Sequence, residues 1–495
     1  MRWWVPRTGI RTARWTSWHG RRAPEPSGST PPTAPGTSGR ASRWGTVGRV
    51  STWCAEPLEP DRTGPDRPHL LLIAMHFPPS RASGVFRPLA MANHFVSTGW
   101  QVTVITATEK FFGDVNGTTD DALLAHVDPR VRVERVPVPA EHLITDVRRM
   151  SWRRAHIPKV VGAWAKVRER VLFPERYSSW IPGVVRRALA VHRRRPVDVV
   201  LGTGNPWSAF EAGRLIKTLT SAPLILDYRD SWTLDQFGER DAFGPGHPAW
   251  AAERKAVTAA DLIVYVNEPM RDWHAARYPD ASSRMTVLEN GYDAGLLGEV
   301  PFRSPSSGPL VLGSVGTITE HWPHEAWRGW DRARSEPELG DASLHLYGHL
   351  GFTRAAASAI RAMLPGPDSQ VVWEGSVPKS ELTAVYTSID VLVMMIPSSR
   401  YVTAGKTYEY MATGRPIVAI HTPRTAAAIP MRGYPLAFPC TDLGPTSVAE
   451  AFLAAARRAR TMTAADHEAA LAHAARYRRD RLLDPFEARV RGLLR

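Results

Sequence analysis

The run Ile389-Asp390-Val391-Leu392-Val393-Met394-Met395-Ile396-Pro397 reads as a parallel strand buried on both faces, since a strand with one wet face would alternate. Next comes Gly405-Lys406-Thr407-Tyr408-Glu409-Tyr410-Met411-Ala412-Thr413-Gly414-Arg415-Pro416. It carries a helical stripe in Tyr408, Met411 and Ala412, with Thr403 as the expected cap and Gly414 and Pro416 as the stop. Ile417-Val418-Ala419-Ile420 supplies the following strand. A strand-helix-strand unit of this kind demands a parallel sheet with helices on its faces. Its helix start is loaded. Free amides at Gly405 and the ammonium of Lys406 make a socket for a diphosphate, and Glu409, one turn on, accepts two hydroxyl protons. A nucleotide sugar offers both groups.

The same alternation of strand and helix signals runs through the chain twice. Strands are expected at 70–75, 101–106, 197–202, 223–228, 262–267 and 285–289, then at 310–315, 343–348, 370–374, 389–396, 416–420 and 435–439, with a polar break over 300–309. The fold class is therefore α/β, with two Rossmann-like doubly wound domains, 68–300 and 310–445, facing across a cleft, and terminal helices over 446–495. Residues 1–67 hold six of the eighteen Trp and eleven Arg against five acids, with no hydrophobic period. That composition predicts a disordered or mis-started segment. Arg21-Arg22 is not followed by an apolar stretch, and no run of about 18 apolar residues occurs, so neither a signal peptide nor a spanning helix is expected. Two cysteines, Cys54 and Cys440, fit a reducing cytoplasm, the expected location.

The net charge of +14 is concentrated. Residues 148–195 carry fourteen Lys and Arg against two acids, interleaved with Trp152, Trp164, Phe173, Tyr177 and Trp180. Two readings stand for that stretch: a solvated basic face, or peripheral contact with an anionic membrane surface or a lipid diphosphate. No nucleic-acid motif accompanies the charge, so nucleic acid is not an expected partner.

Several loops on the same strand edge look chemical. His76-Phe77-Pro78-Pro79-Ser80-Arg81-Ala82-Ser83-Gly84-Val85-Phe86-Arg87 follows the first strand. Gly84 permits close approach, and Arg87 offers a fork of donors to a phosphate or a surface salt bridge. Gly202-Thr203-Gly204-Asn205-Pro206-Trp207-Ser208 lacks the Lys-Ser/Thr of a triphosphate loop. The loop, with Asn205, is assigned either to the acceptor side or to a structural turn, and Ser208 is a candidate cap. Asp227-Tyr228-Arg229-Asp230 is either an internal Asp-Arg network or a contact from Arg229 and Asp230 to sugar or acceptor, Asp230 being a candidate base. Gly313-Ser314-Val315-Gly316-Thr317 and Glu374-Gly375-Ser376-Val377 end strands of the second half. No Asp-x-Asp or His/Cys cluster has metal spacing, and no metal or resident cofactor is expected.

The segment 403–416 resembles the donor-binding segment of retaining GT-B glycosyltransferases, the glycosyltransferase family 4 or "glycosyl transferases group 1" type. The resemblance implies two facing domains and metal-independent transfer of a sugar, with retention, from a nucleotide-diphospho-sugar co-substrate. The acceptor would be a glycan, a lipid-linked or a small-molecule hydroxyl, in cell-wall, capsule, polysaccharide or natural-product biosynthesis. By resemblance, Glu409 holds the donor ribose, and Gly84, Gly316, Thr317, Gly375, Val377, Gly405 and Lys406 line the donor. Lys406, Arg87 and Asp230 are then the candidate catalytic residues. The chain departs from the family pattern in two places: Tyr401 occupies the slot of a second Glu, and the loop after Gly316 lacks the usual Arg and Lys. Two alternatives stay open, a sugar-nucleotide 2-epimerase of the same build and a non-catalytic sugar-nucleotide or membrane-surface binding protein.

Overall fold

The computed structural model describes residues 67–116, 119–139, 175–304, 307–319, 322, 325–351 and 354–494. The segment 1–66 and the basic stretch before Glu175 lie outside the described residues.

Unbroken apolar runs dominate the strands, and they assemble as such runs must, into parallel sheets covered on both faces. The first sheet holds β1 (His69–Ile73), β2 (Gln101–Ala107), β3 (Arg132–Val136), β4 (Val199–Gly204), β5 (Leu224–Tyr228), β6 (Leu262–Tyr265) and β7 (Met285–Val287), in the order β3-β2-β1-β4-β5-β6-β7. The second holds β8 (Val311–Val315), β9 (Ser343–Tyr347), β10 (Val371–Gly375), β11 (Val391–Met395), β12 (Ile417–Ile420) and β13 (Ala437–Pro439), ordered β10-β9-β8-β11-β12-β13. Each order reverses between its first and fourth strand, the topological switch point where doubly wound sheets bind ligands at their carboxyl ends. The two Rossmann-like domains expected from the sequence are therefore present.

Helices clothe each sheet. In the first domain these are α1 (Phe86–Ser97), α2 (Ile181–Arg194), α3 (Ser208–Thr220), α4 (Pro248–Ala259) and α5 (Glu268–Arg277). In the second they are α6 (Glu325–Arg334), α7 (Arg354–Met363), α8 (Leu382–Ser388) and α9 (Gly405–Met411), followed by α10 (Pro445–Thr461), α11 (Ala464–Ala474) and α12 (Arg479–Arg491). The last helix returns to the first domain. Its Leu483, Phe486 and Val490 join the core formed by Leu72, Phe95 and Trp100, and the Phe95 and Phe486 rings meet edge-on at 6.1 Å. Burying each such side chain contributes about 1.5–3 kcal/mol.

The basic stretch changes character where it is described. Tyr177 and Trp180 are core residues, 7% and 0% exposed, and Trp180 donates to the Val136 carbonyl at 3.2 Å. α2 buries Ile181, Val184, Ala188 and Val191, so these two aromatics do not interleave with the charges on a surface. Arg187 instead pairs with Glu134 at 2.6 Å. Among the described residues no helix is long and apolar enough to cross a membrane.

Candidate active site

The carboxyl ends of β8, β9 and β10 are stitched edge to edge. Gly316 N donates to Tyr347 O at 2.7 Å, Ile318 N to His349 O at 2.9 Å, and Gly348 N to Gly375 O at 2.6 Å. The approach is so close that a Cβ on Gly348 would fall 2.0 Å from Gly316 O. Gly316 also faces α9, since a Cβ there would lie 3.6 Å from Lys406 Cδ. Gly316 and Thr317, after β8, and Lys406, after β11, thus meet at the switch point of the second sheet, with Gly375 beside them and Val377 packed under the same face.

The start of α9 is open. Ala404 is the cap residue and makes no side-chain hydrogen bond, which corrects the expectation for Thr403. The Thr403 hydroxyl instead accepts from Asn267 Nδ2 at 3.2 Å. Gly405 is exposed, with no atom within 4 Å of where a Cβ would be. Lys406 turns inward, its Nζ donating to Met395 O at 3.2 Å and lying 5.3 Å from the Trp322 ring centre. Loss of solvation lowers its ammonium to about 8. Among the described residues no carboxylate pairs with it. One turn on, Glu409 accepts from Lys379 Nζ at 2.6 Å and from the Tyr386 phenol at 3.3 Å. Burial, with Glu409 beside it, holds that phenol protonated, well above its ordinary range.

On the first domain, Gly84 follows β1, Asn205 follows β4 and Arg229 follows β5, again at the switch point. A Cβ on Gly84 would sit 3.1 Å from the Arg229 guanidinium carbon, and Arg229 reaches the Asn205 carbonyl at 3.3 Å and Asp230 at 3.0 Å. His76 lies near; burial, then the positive charges of Arg229 and Arg176, lower its imidazole to about 4, which keeps it neutral. Arg87 departs from its expected role. It is 5% exposed, bonded to Asp227 at 2.7–3.0 Å and to the carbonyls of Leu288 and Glu289 at 2.9 and 3.1 Å. Every guanidinium nitrogen is engaged in a buried network, so Arg87 presents no fork to a phosphate. Ser208 does not cap α3 either. Its amide and hydroxyl donate to Glu175 Oε1 at 2.9 and 3.0 Å, and burial raises that carboxyl to about 7.

The carboxyl-end loops of the two sheets touch. The loop entering α9 is gripped by the first domain: Asn267 Nδ2 donates to Tyr401 O at 2.9 Å, Asn290 Nδ2 to Thr403 O at 3.3 Å, and Glu239 accepts from Arg400 N at 2.8 Å. Tyr401 is 4% exposed, so the ring in the family's glutamate slot is packed away. The residues the sequence did not signal are Lys379, Tyr386 and Asn267; Asp227, read from the sequence as part of an internal Asp-Arg network, pairs with Arg87. Each matters through a partner remote in sequence, which no local pattern encodes. An open cavity of about 510 Å³ lies elsewhere, between α1, the 125–129 turn and the start of α12. None of the sequence-predicted site residues lines it.

With two doubly wound sheets meeting at their carboxyl ends, comparison with known proteins is decisive at the level of build. Residues 85–291 match the model of the "Glycosyl transferase 4-like domain", and residues 309–457 match that of the "Glycosyl transferases group 1". The chain has the build of a GT-B glycosyltransferase. Among solved GT-B structures it is similar to sucrose-phosphate synthase from Thermosynechococcus elongatus, with 15% identity and a TM-score of 0.57 over 86% of this chain and 99% of that one. It is also similar to Anabaena HepE in complex with UDP, with 13% identity and a TM-score of 0.53 over 86% and 100% of the two chains. A curated relative, 2-deoxystreptamine glucosyltransferase of Streptomyces kanamyceticus, is 28% identical over 265 residues, which cover 49% of this chain and 64% of that relative.

Proposed function

We propose that the protein transfers a sugar, with retention and without a metal ion, from a nucleotide-diphospho-sugar to an acceptor hydroxyl. The observation that carries this reading is Lys406: a desolvated cation with no acidic partner among the described residues, at an open helix start, against the Gly316 loop. Holding a cation out of water without a counter-charge is costly, and an incoming anion relieves that cost. The diphosphate is that anion. Glu409, one turn away, takes the ribose, and Gly375 and Val377 flank the base. No carboxylate nucleophile is assigned, so the acceptor attacks on the face the diphosphate leaves. Its proton passes to a departing phosphate oxygen while Lys406 and the amides at Gly405 stabilise the developing charge. Arg229, Asn205 and Asp230 line the acceptor side, and a small polyhydroxylated acceptor is the first to test, following the name of the curated relative. Catalysis at a cytoplasmic membrane face is a further reading, resting on the charge of 148–195 alone.

The test is a thermal-shift screen of the full chain against UDP-, GDP- and dTDP-sugars, since a ligand that binds only the folded state raises the melting temperature. Calorimetry on Glu409→Ala then follows. A stabilising donor is expected, with at least tenfold weaker binding in the variant, about the loss of hydrogen bonds to a charged group. Undiminished affinity in Glu409→Ala refutes the ribose assignment. Formation of an isomerised sugar without any acceptor would move the protein to the epimerases.

A further inference from the structure

The cavity of about 510 Å³ between α1, the 125–129 turn and the start of α12 has the size of a small-molecule pocket. It lies against the hinge. Two segments cross between the domains, 290–295 after β7 and 477–480 leading into α12, and they are bonded to each other. Tyr292 N donates to Tyr477 O at 3.0 Å, Arg479 N to Tyr292 O at 2.9 Å and Arg479 Nε to Asn290 O at 2.9 Å. Both segments line the cavity, and the first domain supplies the other wall.

Most of the charge on the lining is already paired. Arg130 holds Asp128 at 2.8 Å and Arg478 holds Asp480 at 2.7 Å, while Asp293 Oδ1 accepts from the Gly295 and Leu296 amides at 3.0 and 3.2 Å. Two donors are left over. Arg479 makes no ion pair among the described residues, and of its guanidinium only Nε is bonded, to a carbonyl. Loss of solvation disfavours its charged form, with Asp293 and Glu409 acting the other way from a distance. His94 reaches in from α1 with its side chain 8% exposed, and its buried Nε2 makes no hydrogen bond, the Asp484 carboxylate standing 3.5 Å away. Buried polar atoms are costly without partners, and an oxygen-rich ligand would complete both groups. The positive end of α12 favours a negative one.

We propose that this cavity is a second ligand site, for a sugar-sized molecule that carries a phosphate or carboxylate group, and that filling it braces the hinge. The terminal nitrogens of Arg479 take two oxygens of the anion side by side. His94 donates to the anion in the tautomer that carries its proton on Nε2, and the second oxygen of Asp293 accepts from a hydroxyl of the ligand. A molecule held at once by Arg479 and His94 ties the crossing segments to α1. Asn290 extends the brace, because its carbonyl accepts from Arg479 while its Nδ2 donates to Thr403 O at 3.3 Å, in the loop entering α9.

The experiment is calorimetry on the full chain with three probes of one ring size, glucose 6-phosphate, glucuronate and uncharged glucose. At least one of the two anionic sugars is expected to bind about tenfold or more tighter than glucose, and the stronger of them tells phosphate from carboxylate. Arg479→Gln should weaken that probe about tenfold. Ser97→Trp fills the cavity from an exposed position on α1 and should weaken it as much, with the hinge hydrogen bonds left in place. Lys406→Met, in the proposed donor site, should leave its affinity unchanged. Saturation with the probe should slow hydrogen exchange at the Tyr292 and Arg479 amides by about threefold or more. Binding by none of the three, or glucose bound as tightly as the anionic sugars, overturns the site. Affinity undiminished in Ser97→Trp, or lost in Lys406→Met, overturns it as well and places the anion between the two sheets. Tight binding with unchanged exchange at both amides overturns the brace.

Discussion

Among the described residues, two cations marked by sequence as phosphate ligands differ in the presence of a carboxylate. Arg87 has Asp227 at 2.7 Å and is spent, whereas the described partners of Lys406 are a carbonyl and a ring face. The consequences diverge. Breaking a buried ion pair strands a charge, so Arg87→Met should destabilise the fold by about 3–5 kcal/mol, read as a fall in denaturation midpoint. A loss of donor affinity without loss of stability would contradict this placement. Lys406→Met should do the reverse. With its ammonium at about 8 when folded against 10.5 ordinarily, protonated Lys406 is disfavoured by the fold: the stability its neutral form allows is lost as pH falls from about 10.5 to about 8 and stays lost below. Removing the charge should raise the melting temperature at pH 7 while lowering turnover at least tenfold, a trade common at functional sites. If the unsubstituted protein transfers sugar as proposed, its kcat/KM should decline as pH rises through about 8, where the cation titrates in the ligand-free protein. A profile flat to pH 9.5 argues against Lys406 as the charge that meets the diphosphate.

At the scale of elements, the glycines that follow β8 and β9 and the one that ends β10 form a shared floor. Gly348 has φ +150° and faces a carbonyl that a Cβ would strike, so both backbone angle and space exclude a side chain. Gly348→Ala should force the Gly316 loop away from Lys406, costing about 1–3 kcal/mol and most nucleotide binding. Unchanged calorimetry would show the floor to be dispensable. The sequence foreshadows this layer well, because strands buried on both faces need continuous apolar runs and β8, β11 and β12 have them. It is silent on β3, where Arg132, Glu134 and Arg135 occupy three of five positions of an edge strand. Caps are misread for a related reason: Thr403 and Ser208 are good local acceptors, but Asn267 and Glu175 reach them from far along the chain. Arg87 finds its carboxylate 140 positions away. Site positions follow from topology and are legible; partners follow from tertiary packing and are not.

For the whole molecule, the question is what sets the approach of the two sheets. α12 ties the end of the chain to α1, and the loop 399–403, which runs straight into α9, is held by side chains of the first domain. Asn267 is central to that hold. Its Oδ1 accepts from Met270 N at 3.0 Å and caps α5, while its Nδ2 donates to Tyr401 O and Thr403 Oγ1. One buried amide therefore serves a helix of one domain and the loop entering α9 of the other. Asn267→Asp separates the two tasks, since a carboxylate still caps the helix but meets the Tyr401 carbonyl with like polarity. The proposed donor residues, Gly316, Lys406 and Glu409, lie wholly within the second domain and are untouched. Nucleotide affinity should then change less than about threefold, while turnover, which needs both halves in register, falls on the order of tenfold, as two net hydrogen bonds of ~1 kcal/mol allow. Equal losses in both would mean that the loop shapes the donor pocket itself. A variant with native turnover would mean that the closed arrangement is held by α12 and the remaining contacts alone.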